Sequence, residues 1–367
     1  MTLAAQVYAA DPAAPGVGGA PVEATGAMAF QVNDDSTTLA VAKVPQIYLY
    51  GPIDADAANR FDALLKSGKI RRGSDIYLNS PGGDMAAGLA LGRLFRSYSL
   101  GTHLGVPRRT SRMPAMPRAA QCANACAYAY LGGLYRWAPS GNDRLGVPPH
   151  DAAAATGPGS VTPTELTSYL KDMDIRADLL APPPTAPGEE VAWLDSERVL
   201  ATGLANNGYL ATTATYRPMA AETSLLLSQM SRDGEHRITL LCRPEGMTLT
   251  AQYVIGTERS RKIAARVTRS YFEIDQQPTP QQETGNVSMV DQSLVFSHPV
   301  PVDELNRLLS ARTMGAWLAD RGGAVRYGFL LSLAGVQNHL REYSASCQQI
   351  AKAGAGASTA AAQAPRH

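Results

Sequence analysis

The chain has 367 residues, with 33 basic and 32 acidic side chains and a net charge of +1. That charge gives no general attraction to nucleic acid or to an anionic membrane surface. No run reaches the roughly 18 consecutive apolar residues of a membrane-spanning helix. The length suffices for two domains that each bury a core. We therefore expect two domains, no nucleic-acid partner and no membrane span.

The first 28 residues predict a disordered lead-in, because they are rich in Pro, Gly and Ala. The apolar run 4–10 ends in small residues and resembles the remnant of an export signal, although a tail without significance explains it equally well. Residues 351–367 have a similar composition and predict a disordered tail.

Strand and helix patterns alternate over residues 29–216, which we assign to a first domain. This alternation predicts an α/β domain with a mainly parallel sheet, whose functional edge is formed by the carboxyl ends of the strands. The predicted strands are 47–50, 75–78, 102–106, an extended segment within 136–147, and 209–216. The predicted helices are one containing Phe61, Leu64 and Leu65, then 84–95, 122–131, 164–173 and one ending near Gly203.

Residues 217–350 predict a smaller α+β domain with an antiparallel sheet, because strand-like runs rich in Thr, Val and Ile follow one another between turns. The runs are 237–242, 248–255, 262–274 and 287–296, and helices are predicted at 302–309 and 334–343. This domain contains no metal-ligand spacing, nucleotide-binding loop or acid pair. We therefore predict neither a metal nor a cofactor.

The turn Ser80-Pro81-Gly82-Gly83 joins a predicted buried strand to a predicted helix. Its two glycines can adopt backbone angles that are closed to other residues. Amides held at such a turn can stabilise a developing oxyanion. The sequence therefore predicts that Gly82 and Gly83 form an oxyanion-type backbone site.

With these motifs in order, the first domain resembles the ClpP-like serine peptidases of the crotonase superfold, and most of all predicted periplasmic members of that group. The likeness covers about residues 44–212 and implies a ClpP/crotonase-like β-α-β fold and periplasmic location. Its matching tracts are SPGGDMAAGLALGRLF at 80–95, CANACAYAYLGG at 122–133, DRLGVPPH at 143–150, YLKDMDIRADLL at 169–180 and WLDSERVLATGL at 193–204.

Two catalytic positions depart from the pattern that this resemblance implies. Asn124 stands at the serine position, and an amide has no usable nucleophilic electron pair. Pro148 stands at the histidine position and can neither accept nor donate a proton. Possible substitutes are His150 with Cys126, or Ser80, but Ser80 is better explained as a cap of its turn. The triad acid is not located, and Asp172 and Asp174 are explained as a solvated helix face.

A groove that has lost its chemistry can still bind an extended peptide or a protein by strand addition, with Asn124 providing hydrogen bonds. A vestigial groove is the alternative. Arg108, Arg109 and Arg112 lie in a basic loop that could clasp an acidic partner at its rim, or could simply be solvated. The resemblance also implies a possible homo-oligomer.

Four cysteines suit an oxidising compartment. We predict a disulfide between Cys242 and Cys347, with two buried thiols as the alternative. A bridge between Cys122 and Cys126 is not expected, because successive helical turns rarely give two sulfurs suitable geometry.

Three functions remain at this stage. The first is a catalytically degenerate, periplasmic binding or scaffolding protein. The second is an active serine or cysteine peptidase with an unaligned nucleophile. The third, crotonase-type acyl-thioester chemistry, has no positioned acid or base to support it.

Overall fold

A computed structural model of the chain describes residues 26–42, 44–107, 119–148, 159–180, 191–279, 282–283 and 287–362. Within those ranges the fold is mixed α/β, with four sheets. None of the helices described there is long and apolar enough to cross a membrane. Two separate clusters of buried apolar side chains form, one from residues 28–205 and one from residues 225–347.

The first half of the chain builds a five-stranded and a three-stranded sheet. Its strands are β1 (Ala29–Asn33), β2 (Gln46–Tyr50), β3 (Asp75–Asn79), β4 (Gly101–Leu104), β5 (Gln121–Ala123), β6 (Tyr135–Arg136), β7 (Arg144–Val147) and β8 (Ala192–Leu194). Its helices are α1 (Ser36–Ala42), α2 (Ala57–Lys66), α3 (Met85–Ser97), α4 (Ala125–Leu131), α5 (Pro163–Asp172) and α6 (Ser196–Ala201).

The larger of these sheets has the strand order β1-β2-β3-β4-β6. Strands β2, β3, β4 and β6 run parallel, and only β1 is antiparallel to its neighbour. The smaller sheet has the order β5-β7-β8, and a bridge between Ser80 and Cys122 connects it to the end of β3. The carboxyl end of β3 therefore lies beside the carboxyl end of β5, where the candidate site is found.

Alternate side chains of the large sheet have different roles, as a strand period of two requires. One set enters the apolar core with Phe61 and Phe95 of α2 and α3. The other set forms a stacked row of rings from β2, β3 and β4, which Trp137, the residue directly after β6, continues. The centroids are 4.8 Å apart for Tyr48 and Tyr77, 4.7 Å for Tyr77 and His103, and 4.3 Å for His103 and Trp137.

The second half is dominated by antiparallel strands, as predicted. Its strands are β9 (Thr213–Pro218), β10 (Thr223–Ser231), β11 (Gly234–Arg243), β12 (Gly246–Val254), β13 (Val267–Ile274), β14 (Gln277–Pro278), β15 (Gln282–Glu283), β16 (Ser288–Val290), β17 (Ser293–Val300), β18 (Thr313–Asp320) and β19 (Arg326–Ser332). Its helices are α7 (Thr257–Ala264), α8 (Glu304–Ser310) and α9 (Gln337–Ala362). One sheet has the order β16-β17-β12-β11-β10-β9, and the other is built around β14-β13-β18-β19.

Three sequence predictions are wrong in this half. The strand that we placed at 209–216 as the end of the first domain is β9, which pairs with β10 and so belongs to the second group of sheets. The strand placed at 262–274 begins only at β13, because α7 occupies 257–264. Helix α9 extends to Ala362, so residues 351–362 are helical rather than a disordered tail.

The disulfide between Cys242 on β11 and Cys347 on α9 is confirmed. It ties the closing helix to the centre of the six-stranded sheet. Both cysteines are fully buried.

Candidate functional site

The residue between β5 and α4 has an unusual backbone conformation. Asn124 has φ 53° and ψ −121°, a combination that costs a residue other than glycine about 1 to 3 kcal/mol. Such a sharp strand-to-helix turn is the form in which a nucleophile elbow presents its side chain. We had predicted a continuous helix from Cys122 to Leu131, and this is wrong because Cys122 belongs to β5 and the helix starts at Ala125.

A disulfide between Cys122 and Cys126 encloses this elbow. We did not expect it, because we placed both cysteines on one helix. Cys122 lies instead on the strand and Cys126 in the first turn of α4, and the sharp turn between them brings their Cα atoms to 5.1 Å, a distance common in disulfides. Cys126 is therefore bridged and fully buried, so it does not provide a free thiol.

The Ser-Pro-Gly-Gly turn lies directly against the elbow. A Cβ atom at Gly82 would be 2.8 Å from the Cβ of Asn124 and 2.8 Å from the carbonyl oxygen of Ala123, so only glycine fits there. The amide of Gly82 donates to the Oγ of Ser80 at 3.1 Å. Ser80 is buried, and this bond gives it the geometry of a turn cap.

The two glycines differ in what their amides can do. Gly82 was predicted to offer its amide to a ligand, but that amide is occupied by Ser80. Gly83 is exposed, and its amide donates to none of the residues that the structure describes. The same holds for the amide of Ala125, which follows the elbow. Among the described residues, the backbone donors beside Asn124 that have no acceptor are therefore those of Gly83, which is exposed, and of Ala125, which is fully buried.

Strand β7 forms the other side of the elbow. The amide of Asn124 donates to the carbonyl of Gly146 at 3.1 Å. A Cβ atom at Gly146 would collide with Val191 and lie 2.9 Å from the ring of Trp193. Pro148, one residue beyond β7, is buried. The described neighbours on this side are thus backbone and apolar groups, and none of them can act as a base.

The side chain of Asn124 is half-buried, and it forms no hydrogen bond with any residue in the described ranges. Its amide can donate two hydrogen bonds and accept two. Among the described residues no group of three or more His, Cys, Asp or Glu side chains could hold a metal ion. The site can therefore recognise a polar group, while its described residues include no nucleophile with a base.

Several predicted residues are not part of this arrangement. His150, Arg108, Arg109 and Arg112 lie outside the described residues, so the basic rim stays a prediction. A Cys–His pair has no support, because Cys126 is bridged to Cys122 and offers no free thiol. Asp172 and Asp174 are both exposed at the end of α5, as expected for a solvated helix face.

Sequence reasoning missed Trp193 and the carbonyl of Gly146. Trp193 is 38% exposed, which is unusual for so large an apolar ring, and it covers Gly146 from β8. A tryptophan paired with a glycine on a neighbouring strand indicates that the ring covers the glycine, but this can be recognised only once the register is known. The register joins residues 146 and 193, and the sequence alone does not indicate it.

One half-buried and one buried arginine, Arg96 and Arg136, bind the carbonyls at the far end of α4. Arg96 donates to the carbonyls of Gly132 and Gly133, both at 3.2 Å, and to that of Met173 at 3.1 Å. Arg136 donates to the carbonyls of Gly133 at 3.0 Å and Leu204 at 2.8 Å. Burial lowers the pKa of Arg136 to about 10, which leaves it charged at neutral pH. Cations at this end also complement the helix dipole.

No family model matches the chain. No curated protein matches it either. Among solved structures, the chain is similar to a protein described as the 1510-N membrane-bound stomatin-specific protease, in a mutant form. The identity is 16%, the match covers 43% of this chain and 75% of that one, and the TM-score is 0.28. A likeness of that size supports no inference about activity.

Proposed function

We propose that the chain is a catalytically degenerate relative of the ClpP-like serine peptidases and acts as a periplasmic binding or scaffolding protein. Its ligand is an extended peptide or protein segment that lies beside the Asn124 elbow. The observation that carries the proposal is the backbone of Asn124, which has the strained conformation of a nucleophile elbow but a side chain that cannot attack.

The contacts around the elbow support binding rather than catalysis. Asn124 offers a side-chain amide without a described partner, and the exposed backbone amide of Gly83 donates to none of the described residues. Together they can satisfy the carbonyl and amide groups of an extended backbone, which is how strand-like peptides are recognised. Trp193 adds an exposed apolar surface nearby.

The alternative of an active peptidase has less support from the same contacts. Cys126 is bridged to Cys122, and Ser80 is buried with its Oγ bonded to the amide of Gly82. The two disulfides suit an oxidising compartment, which supports the proposed periplasmic location.

The absence of serine chemistry is tested with a fluorophosphonate probe, which labels activated serines. We expect no labelling of the folded protein above that of the urea-unfolded protein. Specific labelling that disappears when one serine is replaced by alanine would overturn the degenerate part of the proposal.

Binding is tested with a permanently unfolded chain, fluorescein-labelled reduced and carboxymethylated α-lactalbumin, by fluorescence anisotropy. Loss of a hydrogen bond costs about 0.5 to 1.5 kcal/mol, so Asn124→Ala should weaken binding by about 2- to 12-fold. The matched control is Asn306→Ala, at an exposed position on α8, which should bind as the wild type does. Equal affinity of all three proteins, or no binding at all, would contradict the proposal.

A further inference from the structure

The disulfide between Cys122 and Cys126 surrounds the one strained residue of the candidate site. Each cysteine is two positions away from Asn124, and both are fully buried. On the strand side, Ala123 donates to the carbonyl of Ser80 at 3.1 Å. On the helix side, Ala127 and Tyr128 donate to the carbonyl of Asn124 at 2.9 and 3.4 Å. The covalent link therefore joins the two structural elements between which the elbow turns.

A backbone in this conformation tends to relax, because a residue other than glycine gains free energy by returning to negative φ. A change of φ and ψ at Asn124 would turn the start of α4 relative to β5. It would therefore separate Cys126 from Cys122, whose Cα atoms are 5.1 Å apart, and a disulfide tolerates only a narrow range of this distance.

The two disulfides differ in the length of chain that they close. Cys242 and Cys347 are 105 positions apart, whereas Cys122 and Cys126 are 4 apart. In the chain-entropy model, a long closed loop constrains the unfolded chain more than a short one. The long-range bridge is therefore suited to global stability, and the short bridge has its main effect on the local backbone.

We infer that the Cys122–Cys126 disulfide is a positioning element that holds Asn124 in its strained conformation. It does so by preventing α4 from rotating away from β5. The consequence for ligand binding rests on the proposed function, because the bridge keeps the side chain of Asn124 beside Gly82 and beside the amide of Gly83, which has no acceptor among the described residues.

Hydrogen exchange of single backbone amides, followed by NMR, tests the inference without any ligand. The reporters are Ala127 and Tyr128, because their amides bond to the carbonyl of Asn124. The reference is Leu166, whose amide bonds to Thr162 at 3.0 Å in the first turn of α5. The ratio of reporter to reference exchange rates separates local opening from a general loss of stability.

The test variant is Cys122→Ala/Cys126→Ala, and the matched control is Cys242→Ala/Cys347→Ala. We expect the ratio to rise about tenfold or more in the test variant and to stay within about twofold in the control. A ratio within twofold of the wild type in the test variant would overturn the inference, since the surrounding hydrogen bonds would then be sufficient.

A third variant adds Asn124→Gly to the test variant, because glycine adopts positive φ at no steric cost. We expect it to restore the wild-type ratio. Should the test variant fail to fold, a folded triple variant with the wild-type ratio supports the inference. An unfolded triple variant contradicts it, because relief of backbone strain would then not replace the bridge.

Binding of the labelled α-lactalbumin is measured on the same proteins. We expect the test variant to bind about tenfold more weakly than the Cys242→Ala/Cys347→Ala control. Wild-type protein that binds no probe refutes the proposed function but leaves the exchange ratio free to decide the role of the bridge. If both variants bind equally but the exchange ratio is raised in the test variant, the disulfide holds the backbone at Asn124 without affecting ligand affinity. That result would refute its role in binding.

Discussion

Asp75 Oδ1 on β3 and Arg232 Nη1 in the turn between β10 and β11 lie 2.7 Å apart. The two side chains are 12% and 25% exposed, so the ion pair is largely removed from solvent. Arg232 also lies over the ring of Trp137, 5.5 Å from its centroid. This pair joins the parallel sheet of the first half to the antiparallel sheet of the second.

Replacing Arg232 with methionine should destabilise the protein by about 1 to 3 kcal/mol, because the largely buried carboxylate of Asp75 would lose its guanidinium partner and keep only His103, whose Nε2 lies 3.4 Å away. Urea unfolding at pH 7 measures the change. The control is Lys262→Met, which breaks an exposed pair with Glu258 and should leave the unfolding midpoint unchanged. Equal midpoints for both variants would show that the pair between the two halves contributes nothing to stability.

Gly82→Ala should destabilise the protein by about 2 to 5 kcal/mol, because the new Cβ combines backbone strain with close contacts. Gly82 has φ +107°, and its Cβ would be 2.8 Å from Asn124 Cβ. Gly141→Ala is the matched control, since that glycine has φ +58° with nothing within 4 Å. It should cost only about 1 kcal/mol. Thermal unfolding compares the two, and an equal loss would mean that the turn can move away from the elbow.

Asn124→Ser should not become reactive toward a fluorophosphonate probe. A serine hydroxyl requires a neighbouring base to accept its proton, and the described groups on the β7 side of the elbow are the carbonyl of Gly146, Trp193 and the buried Pro148. Labelling is measured by in-gel fluorescence, with the unmodified protein as the background. Strong labelling of the variant would reveal a base contributed by another residue and would contradict this prediction.

Acid should destabilise the fold through His236. Burial lowers the pKa of His236 from 6.5 to about 4, so the unfolded chain takes up a proton first as the pH falls. Stability contributed by the neutral ring is present above pH 6.5 and is lost between about 6.5 and 4, by up to about 3 kcal/mol. Urea unfolding at pH 7 and pH 5 detects the loss.

His236→Phe is the informative variant for this effect, because phenylalanine keeps the stack on Phe329, where the ring centroids are 4.7 Å apart, but does not titrate. Its free energy of unfolding should fall less between pH 7 and pH 5 than that of the wild type. An identical fall in both proteins would assign the acid sensitivity to other groups.

Local patterns predicted many elements of the first half well. The strands predicted at 47–50 and 75–78 correspond to β2 and β3 within one residue at each end. This agreement is expected, because a short apolar run flanked by turn residues is typical of a buried strand. The Ser-Pro-Gly-Gly turn was also predictable, since its chemistry is local. The pairing of β9 with β10 was not, because a strand-like run contains no information about its partner.

The candidate site was predictable in position but not in geometry. Small residues from Cys122 onward satisfy a helix pattern, so the strained torsion angles of Asn124 were missed. Asparagine does tolerate positive φ better than most residues, which is the one local hint. The bond from Gly82 to Ser80 depends on the orientation of a hydroxyl in a buried turn, and no sequence pattern specifies that orientation.

Arg96 and Arg136 bind the carbonyls at the end of α4, far from the side chain of Asn124. Part of the frame of the elbow is thus set by two side chains that do not contact Asn124. These two arginines would keep their bonds if the side chain at position 124 were replaced. A chain of this design is a suitable host for new chemistry, because a nucleophile and a base introduced there would inherit a turn that is already formed.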